Sequence, residues 1–251
     1  MRVISLCPSL TELVCELGFG RELIACTKFC VHPERRVRKL LKVGGTKDPR
    51  IEDIIALSPD VVLMNDEENR IEDYEALTER GIDCHSTMPR TIAETANMVR
   101  SIAAILGGSP KGEVIAADIE ERAERVATSA AKRDSVKFAY LIWSKPWMSV
   151  NRDTFAHALL SNAGGVNVFG DRAERYPEIN LEELQEADPD VILLSTEPFP
   201  FKSHDAVDLS VEIKIPLERI FIADGEYLSW HGSRTPTGID YAESLMVGET
   251  P

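Results

Sequence analysis

The chain has 251 residues, 43% of them hydrophobic and 28% charged, and its 42 acidic and 28 basic residues give a formal net charge of −14. That surplus of acids excludes the basic footprint needed to neutralise phosphate or to lie on an anionic membrane, so nucleic acid is not an expected partner. The longest apolar runs, such as 61–64 and 191–194, are far too short to span a bilayer, which excludes membrane insertion. Five cysteines (Cys7, Cys15, Cys26, Cys30, Cys84) form an odd set without a short disulfide scaffold, and they fit a reducing compartment. The opening MRVISLCPSLTELV lacks the plan of a signal peptide. The expected location is therefore cytoplasmic; the alternative is periplasmic or cell-surface, with a leader removed.

Residues 2–6 are a short apolar run followed by Cys-Pro-Ser, which predicts a strand and then a helix. Ser9 and Glu12 have capping-box spacing and place the helix start at Ser9. Leu10, Leu13, Val14 and Leu17 form its apolar stripe, and Gly18 ends it. A second strand is expected at 23–26, a short helix within 32–42 and a loop at 43–46. A helix at 51–57 leads into a strand at 60–64. A polar loop at 65–69 precedes a helix at 71–80 and a strand at 83–86. The spacing of Ile92, Ala96, Val99, Ile102, Ala103 and Leu106 predicts a helix over 91–106. Gly107-Gly108 breaks it, and Pro110 can open the next. Residues 111–132 then run without Gly or Pro after Gly112, about 33 Å of helix at 1.5 Å per residue, and read as a rigid rod. Beyond the rod come strands at 136–143 and 148–150, a helix at 153–163 and a strand at 166–169. A helix at 181–187 leads to a strand at 191–194. Residues 204–213 carry mixed signals. A strand at 220–223 and a helix at 237–247 close the chain.

The chain repeats itself at a spacing of 130. Residues 51–64, IEDIIALSPDVVLM, align without a gap on 181–194, LEELQEADPDVILL. Ile54 falls on Leu184, Pro59 on Pro189 and Asp60 on Asp190. A repeat at half the chain length points to two similar lobes. Strands alternate with helices in both halves, so the expected fold is α/β: two Rossmann-like lobes with mostly parallel sheets, joined by one long helix, with a ligand cleft between them. The lobes are placed at 1–108 and 135–251, with the connecting helix at 109–134.

In such sheets ligands bind beyond the carboxyl ends of the strands. The loops there carry Cys7, Pro8 and Ser9; Gly45 and Thr46; Glu67, Glu68 and Asn69; and Arg90 in the first lobe. In the second they carry Trp147, Arg152, Glu197, Phe199, Trp230, His231, Ser233 and Arg234. Aromatic rings can cover a flat ligand, and arginines can bond its polar edges. Trp143 is expected in the core and Trp230 at the ligand, with Arg234 the foremost arginine. Cys26-x3-Cys30-x-His32 has loose metal spacing and no second pair to complete four ligands, so no metal site is assigned.

SLCPSLTELVCELG, VGGTKDP, LSPDVVL, the rod helix, RDTFAHALLSNAGGVNVF and LEELQEADPDVILL, in that order, resemble the helical-backbone (class III, TroA-like) periplasmic binding proteins. The resemblance covers nearly the whole chain and is strongest to the cobalamin and ferric-siderophore branch. It implies a non-catalytic receptor whose ligand is a cobalamin or other corrinoid, haem or a ferric siderophore. It also implies an ABC-transporter permease as partner. No intrinsic cofactor is expected, and the protein is expected to be a monomer. The alternative is a cytosolic enzyme or cofactor sensor that reuses the fold, with Cys7 as reactive residue and His231 or His32 as its base. Against an enzyme stands the lack of G-x-S-x-G, P-loop and H-E-x-x-H motifs.

Overall fold

The computed structural model describes residues 1–248. Its elements in chain order are β1 (Val3–Ser5), α1 (Pro8–Glu16), β2 (Leu23–Cys26), α2 (Glu34–Val37), β3 (Leu41–Lys42), α3 (Ile51–Ala56), β4 (Val61–Asn65), α4 (Ile71–Thr78), β5 (Cys84–Thr87), α5 (Ile92–Ile105) and α6 (Pro110–Ala130). There follow β6 (Val136–Trp143), β7 (Trp147–Ser149), α7 (Phe155–Asn162), β8 (Gly165–Asn167), β9 (Glu178–Ile179), α8 (Leu181–Ala187), β10 (Val191–Ser195), α9 (Ser203–Ile213), β11 (Ile220–Ala223), α10 (Gly225–Ser229) and α11 (Thr235–Val247). The chain divides into two compact units. The first holds Met1–Pro89, Ala93–Asp118 and His231–Arg234; the second holds Arg90–Ile92, Ile119–Trp230 and the residues from Thr235 on.

The first unit is built on a parallel sheet of order β3-β2-β1-β4-β5. Val3 and Ile4 on β1, and Val61 to Met64 on β4, are all at most 3% exposed, so both faces of the central strands are covered. Two buried faces demand a continuous apolar run rather than alternation, which is what these strands carry. On one face Ile4, Val62 and Met64 pack with Ile54 of α3 and Leu77 of α4. The second unit has a mixed sheet, β11-β10-β6-β7-β9, with β8 beside β6. Pairings among β6, β8, β10 and β11 are parallel, and β7 turns antiparallel to β6 and β9. Ala139, Leu141, Ile192 and Leu194 pack there with Leu184 of α8 and Leu209 of α9.

The repeat has a physical cause. Ile54 and Leu184 are each 0% exposed and seat α3 and α8 on their own sheets. Ser58 and Asp188, equivalent under the 130 shift, both take positive φ, 45° and 40°. This turns the chain sharply between helix and strand. Asp60 then accepts the backbone N–H of Arg2 at 2.6 Å, and Asp190 accepts that of Lys137 at 2.7 Å. Each aspartate thus ties the start of β4 or β10 to the start of the neighbouring strand, β1 or β6.

α5 buries Ala96, Val99, Ile102 and Ala103 of the predicted stripe, and Leu106, just past its end, is buried with them. α6 is 21 residues long, about 31 Å. Its residues up to Asp118 belong to the first unit and those from Ile119 to the second. Gly112 lets α6 approach α5 closely: a Cβ there would meet the Ala103 Cβ at 2.5 Å. Residues 204–213, ambiguous in sequence, form α9. Two expectations are corrected. α1 starts at Pro8 with Cys7 as N-cap and no side-chain cap, because proline favours the first helical position and takes the start one residue earlier. Glu12 does not close a capping box but pairs with Arg234. The stretch between β11 and the last helix, where no element is expected from sequence, holds α10, capped by the Asp224 side chain on the Glu226 N–H.

Candidate functional site

The exits of β1, β3 and β4 are drawn together in the first unit by one side chain. Asn69 donates its amide to the carbonyls of Leu6 at 3.1 Å and Thr46 at 3.0 Å, while its oxygen accepts the Asn65 N–H at 2.8 Å. Asn65, itself fully buried, accepts the N–H groups of Glu67 and Glu68 at 3.0 and 3.3 Å. The 65–69 loop is therefore a fixed turn that presents Glu67 and Glu68 beside Thr46. Gly44, at φ 101°, is the constrained glycine of the turn, since a Cβ there would fall 2.4 Å from the Asp48 carbonyl oxygen; a Cβ on Gly45 would displace the Asp48 carboxylate. Lys47 donates to the Glu67 carbonyl at 2.5 Å. Glu68 keeps solvent access, but the surrounding chain strips part of its hydration. Its carboxyl is raised above the usual range by that loss, with Glu67 adding to it and Lys47 and Thr46 opposing.

Cys7 is 2% exposed and its carbonyl accepts from the Thr11 N–H and hydroxyl, both at 3.0 Å. Burial pushes its thiol up to about 12, with Glu68 adding to the shift. Its sulfur lies 3.3 Å from the Ser9 hydroxyl, and Ser9 is itself buried. A thiol that resists ionisation is a poor nucleophile. The segment 231–234 completes this unit. Gly232, at φ 101°, lies against Leu13, and Arg234 pairs with Glu12 at 2.6 and 3.2 Å, both side chains less than a fifth exposed. His231 is buried and Ser233 half-buried.

In the second unit the aromatic residues form a ladder. Trp143 meets Phe199 edge-on at 5.6 Å, Phe199 meets Phe201 at 4.6 Å, and Phe201 stacks on Trp147 at 5.8 Å and 5°. The exposures run against expectation. Trp143, expected in the core, is 39% exposed, because β6 extends beyond its last pairing with β10 at Leu141. Trp230 is 8% exposed and donates its indole N–H to the Glu197 carboxylate at 3.1 Å. Arg90 pairs with Asp153 at 3.2 Å, an aspartate that Arg175 also reaches at 3.3 Å, and Arg152 pairs with Asp171. The structure thus groups Cys7, Ser9, Thr46, Glu68 and Asn69 on the first sheet, and Trp147 with Phe199 and Glu197 with Trp230 on the second. Arg90, Arg152 and Arg234 each engage a carboxylate of their own unit. Trp143 is the last residue of β6, opposite Met148 of β7, and its place at the end of the predicted strand was the signal for its exposure.

Two α/β units sharing a single long helix, with polar turns and aromatic side chains at strand ends, define a binding-protein architecture. A family model described as periplasmic binding protein matches residues 3–211, and the chain belongs to that family. A vitamin B12-binding protein of Vibrio parahaemolyticus is 28% identical over 194 residues, 77% of this chain and 70% of the relative. Among solved structures, the periplasmic vitamin B12 binding protein BtuF of Vibrio cholerae superposes with TM-score 0.83 at 21% identity, covering 100% of this chain and 98% of the other. The periplasmic heme-binding protein RhuT of Roseiflexus sp. RS-1 gives 0.82 at 22% identity, covering 99% of both. These relatives are binding proteins, and nothing in them favours the enzyme alternative with Cys7 as its reactive residue. Nor do they support the cytoplasmic expectation, since two are named periplasmic. Among the described residues no helix is long and apolar enough to cross a membrane.

Proposed function

We propose that the chain is a receptor for a corrinoid, with haem or a ferric siderophore as the competing ligand classes. The observation that carries this reading is the sequence relationship to proteins named vitamin B12-binding, at 28% identity over 194 residues. The carboxyl-edge turns support it: the Asn69-fixed loop offers Glu67, Glu68 and Thr46 for polar edges, and the ladder of Trp143, Phe199 and Trp147 offers apolar faces. Cys7, Pro8, Ser9, Gly45, Arg90, Arg152, Glu197, Trp230, His231, Ser233 and Arg234 complete the proposed ligand set. A permease of the ABC-transporter class is the proposed partner of a monomeric receptor; one solved relative, from Listeria monocytogenes, is named an ABC transporter substrate-binding protein. The periplasmic names of the relatives favour an exported receptor.

Cyanocobalamin, cobinamide, haemin and a ferric catecholate, titrated separately with tryptophan fluorescence corrected for absorbance, test the reading. A corrinoid should bind at micromolar affinity or tighter, about −8 kcal/mol. Trp143→Ala should weaken it by about 1–3 kcal/mol. Binding of haemin alone would reassign the ligand, and binding of none of the four would overturn the receptor reading.

A further inference from the structure

The end of β2 gathers chemistry that ligand binding does not use. Cys26 closes the strand, and Cys30 follows one turn later, its N–H bonded to the Thr27 carbonyl at 3.2 Å. Both thiols are buried, Cys26 at 0% and Cys30 at 2% exposure. The Thr11 hydroxyl, whose proton is shared with the Cys7 carbonyl, lies 3.1 Å from the Cys30 sulfur, and the Thr27 hydroxyl lies 3.2 Å from it. The Lys42 ammonium stands 3.2 Å from the Cys26 sulfur and bonds the carbonyls of Cys30 and Thr27 at 3.2 and 3.4 Å. Those carbonyls and that sulfur are its partners among the described residues; no carboxylate neutralises it. A cation and two hydroxyl groups around paired thiols stabilise sulfur anions. The same ammonium repels a metal ion, and among the described residues no three His, Cys, Asp or Glu side chains gather into a metal set.

We propose that Cys26 and Cys30 are a redox-active dithiol that hydrogen peroxide oxidises to an intramolecular disulfide. The Cys30 thiolate attacks a peroxide oxygen and the O–O bond breaks. This leaves Cys30 as a sulfenic acid and releases hydroxide, which takes up the proton that the thiol gave up and leaves as water. The Cys26 sulfur then attacks the Cys30 sulfur. The S–S bond forms, the S–O bond breaks, and the departing oxygen takes the Cys26 proton to leave as a second water. Two thiols lose two electrons and the peroxide gains them. The environment divides the two roles. Hydrogen bonding from Cys26, then from Thr11 and Thr27, holds the Cys30 thiol below the usual range despite burial. The Cys26 thiol is pushed up by that same bond and by burial, so it keeps its proton until the second step. Cys30 is flanked in sequence by exposed Phe29 and Val31, so the outer edge of the pair lies on its side and a small oxidant approaches there.

The test uses the full chain, reduced, freed of reductant and exposed to hydrogen peroxide. Trypsin cuts after Arg21, Lys28 and Arg35, so Cys26 and Cys30 fall in separate peptides, 22–28 and 29–35. Those peptides should appear joined, two hydrogens lighter than their sum, and separate on addition of dithiothreitol. Cys15 and Cys84, each pushed to about 11 by burial, should stay alkylatable and oxidise at least about tenfold more slowly. Cys26→Ser should leave a dimedone-reactive sulfenic acid on Cys30, and Cys30→Ser should yield neither product. Lys42→Met, with its fold checked by circular dichroism, should slow disulfide formation by about tenfold. Peptides 22–28 and 29–35 recovered unlinked and fully alkylated, after a peroxide dose that consumes free cysteine, would overturn the proposal. So would a disulfide from Cys30 to Cys7 in its place.

Discussion

Asn69 does more to shape the first sheet's carboxyl edge than any charged residue near it. Its amide is fully used: two donors on the carbonyls of Leu6 and Thr46, one acceptor for Asn65. Removing it strands buried backbone groups as well as losing bonds. Asn69→Ala should therefore destabilise the protein by about 2–4 kcal/mol, read as a lower urea midpoint with unchanged slope. His157 sets a pH dependence. Its Nδ1 accepts from the Asn167 amide at 3.3 Å, and its Nε2 lies 3.2 Å from the Ser161 hydroxyl, so the neutral ring is the one that fits. Burial, and then Arg152, lowers its pKa below 6.5 in the folded state. The unfolded chain consequently takes up the proton first. Stability from this site is full above about pH 7 and falls as pH drops through the unfolded value toward the folded one. Chemical unfolding at intervals from about pH 7.5 to 5 should show that slope, and His157→Gln should flatten it. Glu68, raised instead of lowered, acts in the opposite sense: the stability it gives is present below its unfolded pKa and is lost as pH rises through the higher folded value.

The repeated helix-turn-strand element makes a paired prediction. Asp60 and Asp190 perform the same task on separate sheets, each on an N–H at 2.6 or 2.7 Å. Asp60→Ala and Asp190→Ala should each cost about 1 kcal/mol, and the double variant should cost their sum, because the two share no partner. Thermal melts of the three variants check both statements. This element was also the most legible part of the sequence. A helix with Ile54 or Leu184 facing inward, a Pro-Asp turn and a four-residue apolar strand all point to one local structure. Two-residue strands such as β3 and β9 were not legible, since so short a segment cannot display a period. α10 was hidden for a related reason: five residues hold barely more than one turn. The site was harder to read than the fold. Sequence position placed Glu68 and Thr46 at strand ends, and there they are. It could not show that Trp230 meets Glu197 or that Arg234 meets Glu12, because both bonds link residues far apart in the chain.

At the scale of the molecule, residues 231–234 matter out of proportion to their number. They follow Trp230 of the second unit yet belong to the first, where Arg234 holds Glu12 of α1 across 222 positions of sequence. Arg234→Ala should leave Glu12 half-buried without its cation, costing about 1–3 kcal/mol. Hydrogen exchange should locate the damage: amides of α1 should lose protection, while those of β10 and β11 keep theirs. Equal loss in all three would mean that the segment serves the whole chain and not one unit.

The same four residues bear on how the chain comes into being. A ribosome delivers it from the amino end, and domains commonly fold in that order as they emerge. Here the unit that contains the first residue cannot be finished early. Its sheet and α1 can assemble, but the glycine that packs on Leu13 and the arginine that answers Glu12 arrive only after β11 and α10 have been synthesised. Newly made protein should therefore pass through a stage in which α1 is docked but unlatched, and any factor that binds nascent chains has until residue 234 to do so.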